Sequence, residues 1–130
     1  MIASALGTTV IAISSSDSKL KIAESLGAKH LIKYAMSLNW DQEVLRITGG
    51  KGADHVIEEG GAQIIMKSLN SARPGGLIIL IGILSAVDIL PPEFVPNLAF
   101  SGKISKGCVA FSRDTTAEFA KYAEERKSSL

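Results

Sequence analysis

Arg73-Pro74-Gly75-Gly76-Leu77-Ile78-Ile79-Leu80-Ile81 is the stretch on which the fold turns. Pro74, Gly75 and Gly76 punctuate the chain, and the run after them is apolar and rich in isoleucine. A strand with one wet face alternates apolar and polar side chains. This one does not alternate, so it is expected to be a central strand covered on both faces, as in a parallel sheet that carries helices. Just before it, Ala62, Ile65, Met66, Leu69 and Ala72 recur at the spacing of one helix face.

Outward from that stretch the same alternation of helix and strand continues. On the N-terminal side, Met1 to Leu6 reads as a helical stub stopped by Gly7, and Thr8 to Ile13 as a β-branched buried strand. Asp17 is expected to cap a helix with Leu20, Ala23 and Leu26 on one face, ended by Gly27, and His30 to Lys33 is the next strand. Asn39 with Gln42 resembles a capping box for a helix that buries Trp40, Val44 and Ile47, and Ala53 to Glu58 is a further strand. On the C-terminal side, Pro91 to Pro96 reads as a loop or short helix and Lys103 to Val109 as a strand. A last helix capped by Asp114 or Thr115 turns Phe119, Tyr122 and Ala123 inward. The pattern predicts an α/β fold: a doubly wound parallel sheet of about five strands with right-handed crossovers. Linking segments are short, so residues 1–130 are expected to form one partial domain around one core.

Composition narrows the partners. The 46% hydrophobic and 21% charged fractions describe a globular chain. Fourteen basic against thirteen acidic residues gather into no basic stripe, so nucleic acid is not expected to bind. The most apolar stretch, Gly76 to Leu84, is about half of what a bilayer span needs, so no membrane partner is expected. The first cation is Lys19, which leaves no basic start for a secretory signal, and a cytoplasmic protein is expected. Cys108 has no second cysteine to pair with, and beside it only His30 and His55 add soft ligands, so no metal is expected. The thiol itself is expected to be buried and without a catalytic role.

A strand, a Gly-x-Gly-x-x-Gly turn and a helix usually begin a dinucleotide-binding fold of this type, and that motif does not occur in these residues. The chain opens at what reads as the last turn of that helix. Without the first, middle strand, the second and fourth strands would pair directly, or a partner would fill the gap, or an edge would stay open. After the second strand stands Ser14-Ser15-Ser16-Asp17-Ser18-Lys19. Hydroxyls and Lys19 suit the 2′-phosphate of NADP, whereas an acid such as Asp17 suits the free ribose hydroxyl of NAD. Equally, Ser16 and Asp17 can be helix-start residues and Lys19 a solvated charge. Glu58-Glu59 reads as a pair of solvated charges, since neighbours on a strand point to opposite faces.

Ser14-Ser15-Ser16-Asp17-Ser18-Lys19-Leu20, Leu26-Gly27-Ala28-Lys29-His30-Leu31-Ile32-Lys33-Tyr34, Thr48-Gly49-Gly50-Lys51-Gly52-Ala53-Asp54-His55-Val56-Ile57-Glu58 and Arg73-Pro74-Gly75-Gly76 occur in fixed order. Ile81-Gly82, Lys106-Gly107 and Phe111-Ser112-Arg113 follow them. The ordered set resembles the C-terminal cofactor-binding domain of the medium-chain dehydrogenase/reductase superfamily, on its zinc-free quinone oxidoreductase or NADP-linked alcohol dehydrogenase branch. The resemblance covers nearly the whole chain. It implies a Rossmann-like sheet lacking its first strand and glycine-rich loop, and an NAD(P)-dependent oxidoreductase activity in the complete protein. It also implies that Ser15, Lys19 and Tyr34 hold the 2′-phosphate, while backbone at Gly60, Gly61, Gly82, Ile83, Ala110 and Phe111 lines the cofactor groove. Glycines at strand ends are equally turn residues in their own right.

Alone, the chain is expected to bind NADP weakly or not at all and to be inactive, because hydride transfer needs nicotinamide and substrate positioned together. Two other readings stand beside this one. A methyltransferase fragment would share the Arg73-Pro74-Gly75-Gly76 turn but wants an acid where Ser14-Ser15-Ser16 stands. A non-catalytic module would use the open sheet edge to form a homo-oligomer. Neither Tyr34 nor Tyr122 is followed four residues later by lysine, which disfavours the short-chain dehydrogenases.

Overall fold

The computed structural model describes residues 1–82, 89–108 and 112–125. In chain order the elements are α1 (Ile2–Ala5), β1 (Ile11–Ser14), α2 (Asp17–Ser25), β2 (His30–Lys33), α3 (Trp40–Ile47), β3 (Ala53–Glu58), α4 (Ile65–Ser71), β4 (Ala72–Leu80), α5 (Phe94–Ser101), β5 (Ile104–Gly107) and α6 (Arg113–Glu125). They fall into two compact units, Met1–Leu38 with Phe111–Leu130, and Asn39–Ala110. All strand pairs are parallel, as the apolar run at Leu77 implied, but the described strands form two sheets, β1-β2 and β3-β4-β5. Among the described residues, β1 and β3 are each hydrogen-bonded to one neighbouring strand. No helix among the described residues is long and apolar enough to cross a membrane.

In the first unit, β1 and β2 run in register from Ile11 beside His30 to Ser14 beside Lys33. The strand begins later than the β-branched run suggested. Thr8 N–H still donates to Ala3 O of the α1 turn, and only at Val10, whose carbonyl accepts from Lys29 and His30, does pairing start. Leu20 of α2 and Ile32 of β2 are buried. Gly27 ends α2 with φ +95°, and a Cβ there would lie 2.5 Å from Ser4 Oγ, so the turn needs glycine twice over. Asp17 is not the cap expected of it. Ser16 holds the N-cap position, and Asp17 is the first helical residue, with its carboxylate turned to Lys33. The cap of α6 is likewise Ser112, whose Oγ accepts from Thr115 N–H at 3.1 Å. On that helix Phe119 is exposed, and Tyr122 and Ala123 are half-buried.

In the second unit β4 is central, as expected. Its residues Leu77 to Leu80 pair with His55 to Glu58 on one side and with Ile104 to Gly107 on the other. Ala72 pairs with Ala53, so Arg73 to Gly76 bulge out between the two registers. Ile65 and Leu69 of α4 and Phe94 of α5 close over Ala72 and Ile78 to make the core. Each such fully buried apolar side chain contributes roughly 1.5–3 kcal/mol. The opposite face of β4 is less covered than its sequence implied. Leu77 and Ile79 are half-buried and border an open groove with Lys106, Gly107 and Cys108. Cys108 is exposed, not buried, because β5 is a sheet edge and its last residues lie beside that groove.

Helix α3 buries Trp40, Asp41 and Val44, but Asn39 makes no side-chain capping bond, so the capping box does not form. The region predicted as loop or short helix is α5, which tolerates Pro96 because a first-turn residue needs no N–H partner. Strand β5 runs from Ile104 to Gly107, so it begins one residue later than expected and leaves out Cys108, while Val109 lies outside the described residues.

Candidate functional site

Parallel strands bring their C-terminal ends to one edge, and ligands of open α/β sheets gather there. In the first unit that edge is the rim of β1 and β2. Ser14 pairs with Lys33, and Tyr34 N–H donates to Ser14 O at 3.1 Å, so Ser15 and Tyr34 leave adjacent strands at the same level. Lys19 lies in the first turn of α2, which starts directly after the rim. All three residues are exposed. The structure thus brings Ser15, Lys19 and Tyr34 to one edge, as their positions in the sequence implied.

The charge pattern of the rim is specific. Lys33 Nζ lies 2.5 Å from Asp17 Oδ2, which occupies the one acid of the Ser14–Lys19 segment. Lys19 forms no ion pair among the described residues. Ser16 does not cap the N–H groups of the first turn of α2, its hydroxyl lying instead 2.6 Å from that of Ser18. A free ammonium, exposed hydroxyls and an uncapped positive helix end are donors without acceptors, which suits an oxyanion.

In the second unit the corresponding edge is the crest above β3 and β4, and here the sequence reading missed the central residue. Glu58 ends β3 and is 1% exposed, not solvated. Its Oε1 accepts from Gly60 N–H at 2.7 Å and Gly61 N–H at 2.9 Å, and its Oε2 accepts from the Ser68 hydroxyl of α4. Ile81 N–H and Gly82 N–H both approach Glu58 O. A Cβ on Gly82 would lie 2.6 Å from Glu59 O, so the two strand ends pass each other at a distance only glycine allows. Gly60, Gly61 and Gly82 therefore converge at one place. Their amides at Gly60 and Gly61 are spent on the Glu58 carboxylate, and the Gly61 carbonyl accepts from Ile64 and Ile65 N–H at 3.1 Å, so the pair is tied into the start of α4. An acid two residues ahead of a Gly-Gly pair was the signal for this clamp. Ile83, Ala110 and Phe111 lie outside the described residues.

Residues 1–125 match the family described as zinc-binding dehydrogenase. The chain belongs to the zinc-binding dehydrogenase family. A 2-haloacrylate reductase of a Burkholderia species is 39% identical over 99 residues, covering 76% of this chain and 29% of that protein. A zinc-type alcohol dehydrogenase-like protein of Schizosaccharomyces pombe is 38% identical over 87 residues, covering 67% of this chain and 25% of that protein. The crystal structure of an NAD-dependent alcohol dehydrogenase superposes with a TM-score of 0.83 at 31% identity, over 99% of this chain and 36% of its own. The zinc-binding dehydrogenase chain thus spans about a quarter to a third of the length of the curated relatives it matches. It is the cofactor-binding, Rossmann-like part of a medium-chain oxidoreductase fold. Among its described residues no three His, Cys, Asp or Glu side chains are grouped to hold a metal.

Proposed function

We propose that this chain binds the adenosine half of a nicotinamide dinucleotide for an NAD(P)-dependent oxidoreductase, and that its β1–β2 rim prefers the 2′-phosphate of NADP. The observation that carries the reading is that Lys19 forms no ion pair among the described residues, beside an Asp17 already matched by Lys33. Lys19 supplies the cation for the phosphate, and the hydroxyls of Ser15 and Tyr34 donate to its oxygens. Within the second unit, Gly60, Gly61 and Gly82 are candidate backbone contacts for a cofactor in their own right, at the crest that Glu58 ties down. The nicotinamide, when bound, supplies the hydride chemistry. The substrate-side groups belong to the remainder of a complete oxidoreductase, and the chain by itself binds weakly and does not turn over substrate.

Lys19→Ala tests the reading. Fluorescence titration with NADPH and NADH should show a preference for NADPH in the wild-type chain and about a tenfold loss of NADPH affinity in the variant, the scale of one charge-assisted contact. Equal affinity for the two nucleotides in the wild-type chain, or an unchanged NADPH affinity in the variant, removes the assignment.

A further inference from the structure

We infer that Lys33 is a specificity-determining residue of the β1–β2 rim: by pairing with Asp17 it silences the one carboxylate that would repel a ribose 2′-phosphate. The inference rests on the nucleotide reading above and adds a residue to it. Asp17 stands where an acid ordinarily selects the dinucleotide with a free ribose hydroxyl, since a carboxylate accepts from that hydroxyl and repels a phosphate. Left alone, it would oppose Lys19, two residues away on the same first turn. The last residue of β2 prevents this. Tyr34 N–H is anchored to Ser14 O, which fixes the level of the β2 end against β1, and from there Lys33 Nζ reaches Asp17 Oδ2 at 2.5 Å.

The asymmetry of exposure matters to the argument. The Lys33 side chain is 29% exposed and that of Asp17 69%, so the lysine stem is packed while the acid stands in the solvent-facing rim. The packed partner therefore holds the open one. An ammonium also has three donors, of which Asp17 takes one, so Lys33 keeps N–H groups to offer at the rim while cancelling the Asp17 charge. Exposed ion pairs contribute little to stability. The consequence of this pair is expected in ligand choice, where an uncompensated charge meets a doubly charged phosphate.

Calorimetric titration of the full chain with adenosine 2′,5′-bisphosphate and with adenosine 5′-monophosphate tests the inference without any turnover. Lys33→Met should weaken the bisphosphate about three- to tenfold, consistent with one charge acting through partly screened solvent. The monophosphate, which lacks the 2′ charge, should bind as before or slightly better as Asp17 becomes free to accept from its ribose. Asp17→Asn in the Lys33→Met background should restore most of the bisphosphate affinity. A packing defect would weaken both ligands alike and would not be rescued by Asp17→Asn, and that result overturns the inference while leaving the nucleotide site intact. A wild-type chain that binds the bisphosphate no better than the monophosphate overturns the inference and the proposed NADP preference together.

Discussion

The two strand edges reach the same end by opposite means. The β1–β2 rim offers the exposed side chains Ser15, Lys19 and Tyr34, and among the described residues its ion pair is Lys33–Asp17. The β3–β4 crest offers backbone, and its amides at Gly60 and Gly61 are tied down by a buried carboxylate that also holds α4 through Ser68. A rim of that kind can change its ligand preference by single substitutions at little cost to folding. A crest of that kind cannot, because the residues that shape it also close the core beside Leu69 and Ile78.

The strongest way to break this contrast is Glu58→Ala. It leaves two backbone N–H groups and one hydroxyl around a buried space without an acceptor, and is expected to cost about 2–4 kcal/mol in denaturant unfolding. Glu58→Gln keeps an acceptor for Gly60 and Gly61 and should recover most of that loss. Ser15→Ala, Lys19→Ala and Tyr34→Phe should each stay within about 0.5 kcal/mol of the wild type, as exposed substitutions do. If the rim variants prove as destabilising as Glu58→Ala, the division into a ligand-facing rim and a fold-bearing crest is wrong. A smaller effect sharpens it. Gly82→Ala places a Cβ 2.6 Å from Glu59 O, and the backbone shift needed to relieve that contact should cost roughly 1–3 kcal/mol. Thermal unfolding of the variant checks this, and an unchanged midpoint would show that the strand ends separate freely.

What could be read in the sequence follows the same division. The parallel class, the central place of Leu77 to Ile81 and the bounds of β2 and β3 were legible because apolar periodicity and glycine stops state them directly. The placement of Ser15, Lys19 and Tyr34 at one strand edge was legible because it follows from where β1 and β2 end. The role of Glu58 was not, since burial of an acid depends on which amides and hydroxyls the fold brings to it, and Ser68 lies ten residues further along the chain. The caps failed for a related reason. Asp17 and Asn39 are good capping types, but Asp17 stands one residue inside the helix, behind the N-cap position of Ser16, with its carboxylate paired to Lys33. The exposed Cys108 shows the remaining limit: an apolar neighbourhood in the sequence does not say which strand becomes an edge.

The smallest expected effect concerns charge on the three-stranded unit, at the opposite ends of the same strands. Asp54 near the start of β3 accepts from Arg73 Nε in the bulge of β4, and Lys51 lies 4.0 Å from the same oxygen. The Arg73 hydrogen bond first, and the Lys51 charge second, hold the Asp54 carboxyl below its ordinary range. A depressed carboxylate stabilises the folded state above its unfolded pKa, and that contribution fades as pH falls through the folded value. The stability difference between the wild type and Asp54→Asn should therefore be small and constant from neutral pH down to about 4, and should shrink below it as the carboxylate takes up its proton. Asp54 is exposed and Arg73 half-buried, so added salt should shrink the difference as well. A difference that persists at low pH or in high salt would mean that the Asp54 side chain acts through packing, and that the bulge at Arg73 to Gly76 is set by shape where the rim at Lys33 is set by charge.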